Sequence, residues 1–434
     1  MTVSMGGRSA AGNGQPRRPA SHEQERMWFV QQLYETSPLF NIARALEIDG
    51  PLDVSALRAA LQNIAGHHPI LTMALRYSAY GLEQVAVADP TAFDFGSPID
   101  AREWDDDEVQ AFLGREAAQT IRLDEAPLAR VRLLTRSDST SLLLLVLHHT
   151  VCDALSLTIL FEDLARLYAG DGGPSARSAT FDEYADWQRK LVGGASLAAL
   201  RADWRTALAG VPSSLALSGI KQRPQTPAAT GAELTVHLGD TSVGKLRTLA
   251  AVGGGTLFQA VFSTLARTVS AMTGSSEFIL GVTANTRPSN RFARTIGPFV
   301  NVLPVPVRLA QSSAPRSDFE ASARELRRAL ARRDVPFDVI VGDCDCHTAW
   351  PEPPLVQILV SYEHRPLSRW TMSDLAVRVR EVPMGAAQMD LTLYAAEIAS
   401  GLRVTASYNS EIYEAETIDA LLTRWIIDVE DLRV

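Results

Sequence analysis

The sequence predicts an α/β protein made of two large lobes, although one domain of unusual size would also fit the length. Its 434 residues are more than a single ordinary core accommodates. Short apolar runs typical of buried strands alternate with segments whose apolar residues recur about every 3.6 positions, as in amphipathic helices. A stretch rich in proline, serine, threonine and alanine lies between the two halves, from Val211 to Gly231, and we interpret it as a linker.

The predicted domain boundaries follow from this alternation and from turn-forming residues. Turn chemistry at Asp171-Gly172-Gly173-Pro174-Ser175 marks the end of the first lobe. We therefore expect a disordered tail at 1–20, an N-terminal lobe at 21–175, connecting helices and a linker at 176–231, and a C-terminal lobe at 232–434.

Composition argues against several classes of protein. The formal charge of −9 does not suit a nucleic-acid binder. No apolar run approaches the length of a membrane span, and the N-terminal segment lacks the hydrophobic core of a secretory signal. The three cysteines, an odd number, favour a reducing cytoplasm over a disulfide framework. We expect a soluble cytoplasmic protein that binds neither nucleic acid nor membrane.

Strands and helices alternate through the first half of the chain. Ser21, followed three residues later by Gln24, is the capping-box pattern and predicts a helix that continues to Leu33. The further predictions are a strand at 41–48, a helix at 54–67, a hairpin at 70–77 and 82–87, a helix at 105–119 and a strand at 129–135.

The second half contains two segments that resemble ligand sites, and we predict neither as one. Gly253-Gly254-Gly255 lacks the lysine of a phosphate-binding loop, so a turn between helices is expected. Asp343-Cys344-Asp345-Cys346-His347 has no further ligands spaced to complete a metal site, so we predict a loop and no metal. Helices are predicted at 180–191, 197–208, 242–252 and 256–272, strands at 232–238, 278–283, 355–362, 375–382 and 391–396, a turn leading into a strand at 296–305, and closing helices within 408–429.

The most informative stretch joins a buried strand to an amphipathic helix. Leu142 to Leu147 is an unbroken apolar run, and a helical pattern then extends to Tyr168. His148 and His149 close the strand, and Asp153 lies just before the helix. Because successive strand residues point to opposite faces, we expect one histidine to face a cavity and the other to pack inside the lobe.

A structural alternative exists for each of these residues. A strand-end histidine is often only a satisfied polar group, and Asp153 is suited to cap the helix that begins after it. A second histidine pair, His67-His68, directly precedes Pro69 and is better explained as the polar C-terminus of a helix.

Six segments in order resemble the core motifs of the condensation domain of nonribosomal peptide synthetases. The resemblance runs from about residue 21 to the end of the chain. The central match is His148 to Ala154, which is similar to the active-site motif His-His-x-x-x-Asp-Gly. The other matches are Ser21 to Leu33, a weakened second motif at His67 to Leu71, Thr180 to Trp187, Ile296 to Arg308, and Arg332 to Asp338.

The resemblance implies a fold and a set of site residues. Each lobe would be like a chloramphenicol acetyltransferase subunit, and the two would form a V-shaped pseudo-dimer with a tunnel between them. His149 would face the tunnel as the catalytic residue, with His148 supporting it. Asp153 would form a structural salt bridge with Arg287 of the other lobe. Ala154 and Asn301 are expected in the substrate tunnel.

The same resemblance implies an acyltransferase. It would move an acyl group from the phosphopantetheine arm of a peptidyl or acyl carrier protein to an amine or alcohol, free or carrier-bound, without a bound cofactor. Because a thioester is already activated, the acceptor needs mainly positioning and loss of a proton. A neutral imidazole at His149 can take that proton or orient the acceptor, and both roles stay open.

The sequence also departs from the family pattern. Ala154 replaces the usual glycine, and Thr72 stands where an arginine is expected, which bears on substrate shape and acceptor type. A free-standing enzyme is expected, with an excised domain as the alternative. Other functions that remain open are a non-catalytic platform recruiting a tailoring enzyme, a coenzyme A-dependent acyltransferase and an epimerase.

Overall fold

Helices and strands alternate along the chain, and the computed structural model describes residues 18–86, 89–172, 179–217, 220–225, 228–310, 314–344, 351–364, 366 and 368–433. The helices are α1 (His22–Leu33), α2 (Val54–His67), α3 (Asp106–Ala118), α4 (Ala154–Tyr168), α5 (Phe181–Val192), α6 (Ser196–Leu208), α7 (Asp240–Val252), α8 (Leu257–Thr273), α9 (Pro315–Ala331), α10 (Phe337–Asp343) and α11 (Ala415–Glu430). The strands are β1 (Asn41–Asp49), β2 (Met73–Ser78), β3 (Gly81–Ala86), β4 (Ile99–Asp100), β5 (Ala129–Thr135), β6 (Thr140–His148), β7 (Gly231–Leu238), β8 (Glu277–Asn285), β9 (Val300–Arg308), β10 (Ile358–Glu363), β11 (Arg369–Met372), β12 (Leu375–Glu381), β13 (Leu391–Ile398) and β14 (Gly401–Asn409).

The strands form two six-stranded sheets and a separate hairpin of β2 and β3. The first sheet has the order β11-β12-β1-β6-β5-β4, with antiparallel pairs except for the short parallel pair of β4 and β5. The second has the order β7-β14-β13-β10-β8-β9, in which β10 runs parallel to β8 and β13. These mixed sheets with their helices confirm the predicted α/β class.

β6 lies inside the first sheet, between β1 and β5. Its residues from Leu142 to Leu147 are all buried, as expected for a strand covered on both faces. The helix that follows, α4, buries Leu157, Leu160 and Leu164 in the same core. The strand and the helix therefore hold both ends of their connecting loop rigidly.

Each sheet has its own hydrophobic core, and the division between the cores falls between α5 and α6. Phe181 and Tyr184 of α5 pack in the core of the first sheet, whereas Trp204 of α6 packs in that of the second. The segment predicted as a linker contributes Val211 and Leu215 to the second core. Residues 176–231 thus do not behave as one connecting unit.

The C-terminal half also contributes strands to the first sheet. The hairpin of β11 and β12 lies within the predicted C-terminal lobe, yet β12 pairs with β1, for example through Val377 and Ile48. Phe299, Leu375 and Val377 are buried in the first core. A boundary at residue 232 therefore does not separate the two sheets, because long-range strand pairing crosses it.

Several predicted boundaries are wrong. The predicted tail 1–20 extends too far: Ala20 is fully buried, and its N–H donates to Leu82 O at 2.9 Å. The predicted strand at 70–77 begins at Met73, after a 3₁₀ turn at Pro69–Thr72. The closing segment predicted as helices begins inside β14 and contains the single helix α11. Helices α9 and α10 and strands β4, β11 and β14 lack a sequence prediction.

The three glycines after α7 form a turn between helices, as predicted. A Cβ atom at Gly253 would lie 2.2 Å from the ring of Phe319, and one at Gly255 would lie 2.6 Å from it. The glycines therefore let α9 pack closely against this turn.

No single helix in the described ranges is long and apolar enough to cross a membrane. The pair α7 and α8 meets that length and composition test only jointly, and the two are bent by 103°.

Candidate active site

The predicted site residues lie on the loop between β6 and α4. His148 is the last residue of β6, and Ala154 is the first of α4. The loop is fixed at its start, where the His149 N–H donates to Phe40 O at 2.6 Å.

His148 is a buried, neutral imidazole. Its exposed fraction is 1%, and its ring contacts Phe40 edge-on at 5.9 Å between centroids. Nδ1 accepts from the Thr150 N–H at 3.2 Å, and Nε2 lies 3.5 Å from the side-chain oxygen of Gln31. Burial, together with the neighbouring His149, lowers the pKa of His148 to about 3. The surroundings of His148 suit a supporting residue.

His149 lies in a different environment, as the strand alternation predicts. Its side chain is only half-buried, and its Nδ1 is buried without a hydrogen-bond partner among the described residues. Nε2 is thus the ring nitrogen that stays accessible. Burial lowers the pKa of His149; the backbone and the charge of Asp153 oppose this shift, and the charge of Arg26 adds to it. The imidazole is therefore neutral near pH 7.

Asp153 both caps α4 and pairs with Arg287, so the two roles considered for it coexist. Its Oδ1 accepts from the Ser156 N–H at 2.7 Å, which caps the helix. The guanidinium of Arg287 donates to both carboxylate oxygens, at 3.0 and 3.1 Å. The Phe299 N–H completes the set at 3.0 Å. Both charged side chains are almost fully buried, with exposed fractions of 6% for Arg287 and 2% for Asp153.

This ion pair joins the loops that follow β6 and β8, one from each sheet. Arg287 also donates to the Ser156 hydroxyl at 2.8 Å and to Thr295 O at 3.2 Å, and it lies 4.1 Å over the ring of Phe299. A buried guanidinium needs several partners to offset its lost hydration, and here the two terminal nitrogens make all of its hydrogen bonds, because Nε is buried without a partner among the described residues. The pair therefore fixes the two sheets relative to each other beside His149.

Helix α1 holds the histidine loop from its other side, which the sequence prediction missed. The side-chain amide of Gln24 donates to Thr150 O at 3.0 Å. The amide of Gln31 donates to Tyr34 O and Ser37 O at 2.8 and 3.0 Å, which aims its oxygen at His148. The spacing of seven residues between the two glutamines, two helical turns, is the sequence signal that places them on one face.

Glu23 is a second residue that sequence reasoning missed. Its exposed fraction is 3%; Oε1 accepts from the Gln188 amide at 2.7 Å, whereas Oε2 is buried without a partner among the described residues. Burial raises the pKa of Glu23 above its ordinary value, although nearby hydrogen bonds and His22 oppose it. Tyr184, which also contacts Glu23, bonds to Thr286 at 3.0 Å. The carboxyl thus lies where α1, α5 and the end of β8 meet.

Ala154, where the family pattern has glycine, is exposed at the first position of α4. It is not among the residues with positive φ. The backbone here does not require glycine, and the methyl group points into accessible space. Nothing in the structure connects this methyl group with a particular substrate.

Asn301 is buried and its side-chain amide is fully used. Its NH₂ donates to Arg333 O at 2.9 Å and to Val335 O at 2.7 Å. Its oxygen accepts from the N–H groups of Val302 and Phe337, both at 3.0 Å. Because the amide has no hydrogen-bonding capacity left, Asn301 positions the segment before α10 and does not hydrogen-bond a substrate.

The second histidine pair has structural contacts. His68 is buried, with Nε2 3.0 Å from an oxygen of Asp163 on α4, and His67 Nδ1 lies 2.7 Å from Asn63 O. Asp345, Cys346 and His347 lie outside the described residues. Within the described ranges, no three His, Cys, Asp or Glu side chains form a group that could hold a metal ion.

A cavity of about 660 Å³ lies beside the histidine loop, between α1 and segments of the C-terminal half. Phe40, whose carbonyl binds the His149 N–H, lines it, as do Arg26 of α1 and Phe337 of α10. The hydrogen bond from the His149 N–H to Phe40 O joins the histidine loop to the wall of this cavity. A neutral imidazole with an accessible nitrogen can accept a proton from, or orient, a nucleophile that reaches it.

Comparison with known proteins identifies this architecture. A family model described as condensation domain matches residues 15–432. The isonitrile lipopeptide synthase of Mycobacterium tuberculosis is 30% identical over 425 residues, which cover 94% of this chain and 17% of that protein. The chain therefore spans less than a fifth of that relative's length.

Solved structures show the same fold. The X-domain in complex with OxyB from teicoplanin biosynthesis has a TM-score of 0.84 and 22% identity, covering 98% of this chain and 95% of the other. SgcC5 from Streptomyces globisporus, solved with a naphthyl ethanediol and sucrose, has a TM-score of 0.78 and 18% identity, covering 95% and 98%.

The family match and the similarity to solved structures show that the protein has the condensation-domain fold. The chain belongs to the condensation domain family of nonribosomal peptide synthetases.

The ion pair between the sheets gives a stability prediction. We expect Arg287→Ala to lower the free energy of unfolding by about 3–5 kcal/mol, because it leaves the buried carboxylate of Asp153 without its countercharge. Urea unfolding measures this effect. Arg316→Ala is the control, because both side chains of its pair with Glu320 are exposed and its loss should change stability by only about 0.5 kcal/mol. Equal stability of the two variants would rule out a structural role for the pair.

The raised pKa of Glu23 predicts that the free energy of unfolding depends on pH. Folding raises the pKa of Glu23, so the folded state prefers the protonated carboxyl. The contribution of Glu23 to the free energy of unfolding is therefore fully present below the pKa of the unfolded state. It is lost as the pH rises through the pKa of the folded state. Glu23→Gln copies the neutral form, so at pH 8 it should be more stable than the wild type by about 1–3 kcal/mol, with a smaller difference at pH 4.5. Urea titrations at both pH values check this, and a difference independent of pH would contradict it.

Proposed function

We propose that the protein is a condensation enzyme. It transfers an acyl group from the phosphopantetheine thioester of a carrier protein to an amine or alcohol, forming an amide or ester in natural-product biosynthesis. The observation that supports this best is His149, a neutral imidazole with an accessible Nε2. It lies on a loop that both sheets hold and that Phe40 joins to the wall of a cavity. Membership of the condensation family favours the same chemistry.

In the proposed reaction, the acceptor nitrogen or oxygen attacks the thioester carbonyl. His149 Nε2 accepts the proton that the nucleophile loses, or holds the nucleophile by a hydrogen bond while it attacks. The tetrahedral intermediate then collapses with cleavage of the carbon–sulfur bond. The phosphopantetheine thiolate leaves and takes up a proton, so no cofactor or oxidant is consumed.

The remaining site residues have positioning roles in this proposal. His148 is buried and neutral, so it supports the loop and does not exchange protons with the substrate. Asp153 is engaged by Arg287 and by backbone N–H groups, and it acts as a structural bridge. This division leaves His149 as the catalytic residue.

A platform that recruits a tailoring enzyme is the second candidate. It is favoured by the fold shared with the X-domain, which was solved in complex with OxyB. Retention of both histidines, Asp153 and Arg287 favours catalysis instead. A pull-down with a cytochrome P450, run alongside an assay for product, distinguishes the platform from the enzyme. The aromatic diol solved with SgcC5 is a first alcohol to use in the product assay.

Removal of the proposed catalytic imidazole should abolish most turnover. We expect His149→Ala to lower kcat by about 100-fold or more, because it removes the proton acceptor while leaving the ion pair intact. The measurement is loss of acyl load from a carrier protein, followed by mass spectrometry. His67→Ala, which removes an exposed histidine, is the control; a His149→Ala rate equal to that of the control would refute the assignment.

The lowered pKa of His149 predicts how kcat/KM changes at acidic pH. The neutral form is active, so kcat/KM should fall only below the ordinary histidine value of about 6.5. Arg26→Gln removes a positive charge that lowers this pKa, so it should move the fall in kcat/KM to higher pH. A wild-type midpoint above 6.5, or a midpoint unmoved in Arg26→Gln, would contradict the proposed role of His149.

A further inference from the structure

The cavity beside the histidine loop has a mainly apolar wall. Its volume is about 660 Å³, enough for a substrate of substantial size. One side is formed by α1, and the other by α10 and the segments around Val356 and Ile412. Apolar side chains in the wall include Val30, Leu33, Leu39, Val341, Val356 and Ile412.

Most charged side chains of this wall already have partners. Glu25 and the pair of Arg223 with Asp390 have opposite charges as partners, and the other carboxylates accept hydrogen bonds within the protein. These contacts are Glu25 with Arg189, Asp338 with His22, Arg223 with Asp390, and Glu352 with the hydroxyl of Ser214.

Arg26 is the exception. Its guanidinium makes no hydrogen bond or ion pair with any other described residue, and its nearest ring contact is Phe337, 6.0 Å from Cζ to the ring centroid. The side chain is partly buried, and burial lowers its pKa while the charges of Glu23 and Asp338 oppose that shift. The guanidinium of Arg26 thus lines a mainly apolar cavity, and its five N–H donors make no hydrogen bond to a described residue.

We propose that this cavity binds a substrate consisting of an apolar body and a carboxylate or similar anionic group, with Arg26 pairing with the anion. This inference rests on the proposed function. A planar guanidinium recognises a carboxylate through two parallel hydrogen bonds, and their strength increases where water is scarce. The apolar body would replace water along the wall, and the anion would set its orientation towards His149.

The test compares two fluorescent probes that differ in charge. Anilinonaphthalene sulfonate has an apolar body and an anion, whereas N-phenylnaphthylamine has a similar body without the anion. We expect Arg26→Gln to weaken binding of the sulfonate by about tenfold or more and to change binding of the neutral dye by less than about twofold. Fluorescence titration of the full chain gives both dissociation constants without any need for turnover.

Two further variants make the test specific. Arg327→Gln removes the same charge from the exposed face of α9 and should leave both dyes unaffected. Leu33→Trp narrows the cavity and should weaken both dyes. If Arg26→Gln leaves sulfonate binding unchanged, or weakens both dyes equally, the proposal is wrong, whatever the outcome of the His149→Ala assay.

The anionic group could belong to a free acceptor or to the acyl chain of the donor. Inhibition of turnover by the sulfonate distinguishes these sources: competition with the acceptor assigns the cavity to the acceptor, and competition with the acyl carrier protein assigns it to the donor. Absence of inhibition at a saturating dye concentration would exclude the cavity from the reaction.

Discussion

The buried ion pair between Asp153 and Arg287 is the interaction on which the arrangement of the site depends. It connects the loops that follow β6 and β8, and thereby the two sheets. Burying two charges is costly, and here the cost is offset by the pairing itself, by the cap of α4 and by the N–H of Phe299. Such a network tolerates little displacement, because any shift leaves a buried charge with too few partners. His149 is therefore presented from a connection that both sheets fix.

The two adjacent histidines show how environment separates chemically identical groups. His148 points into the protein, where Thr150 and Gln31 define its tautomer. His149 points the other way and keeps one nitrogen accessible. Strand alternation causes this difference, and α1 preserves it by holding the loop with two glutamines.

Local patterns were sufficient to predict the elements around the site. The apolar run of β6 and the helical period of α4 predict where the histidine loop begins and ends. The partner of Asp153 was identified through the family resemblance, because an ion pair between residues 134 positions apart leaves no local signal. The burial of Glu23 also leaves no local signal. An acidic residue in the first turn of a helix is usually exposed, and Glu23 is buried only by tertiary packing.

The missed elements also have physical causes. In α9 the buried face consists largely of small residues such as Ser322, Ala323 and Ala329, so the apolar pattern is weak between many arginines. The substrate role of Ala154 stays a prediction, since the structure shows only that this residue is exposed at the start of α4. The tunnel position of Asn301 stays a prediction. Three of its four backbone partners, in Arg333, Val335 and Phe337, come from a segment that the sequence does not show to be close.

The hairpin of β11 and β12 makes the two halves of the chain mutually dependent. Without β12, strand β1 would have an unpaired edge from Arg44 to Asp49, with backbone groups free to pair with another molecule. An N-terminal fragment would therefore tend to self-associate, and a C-terminal fragment would carry a hairpin with no sheet to join. Each half of the chain therefore needs the other to complete the first sheet. Separated fragments would regain this pairing only by associating with each other.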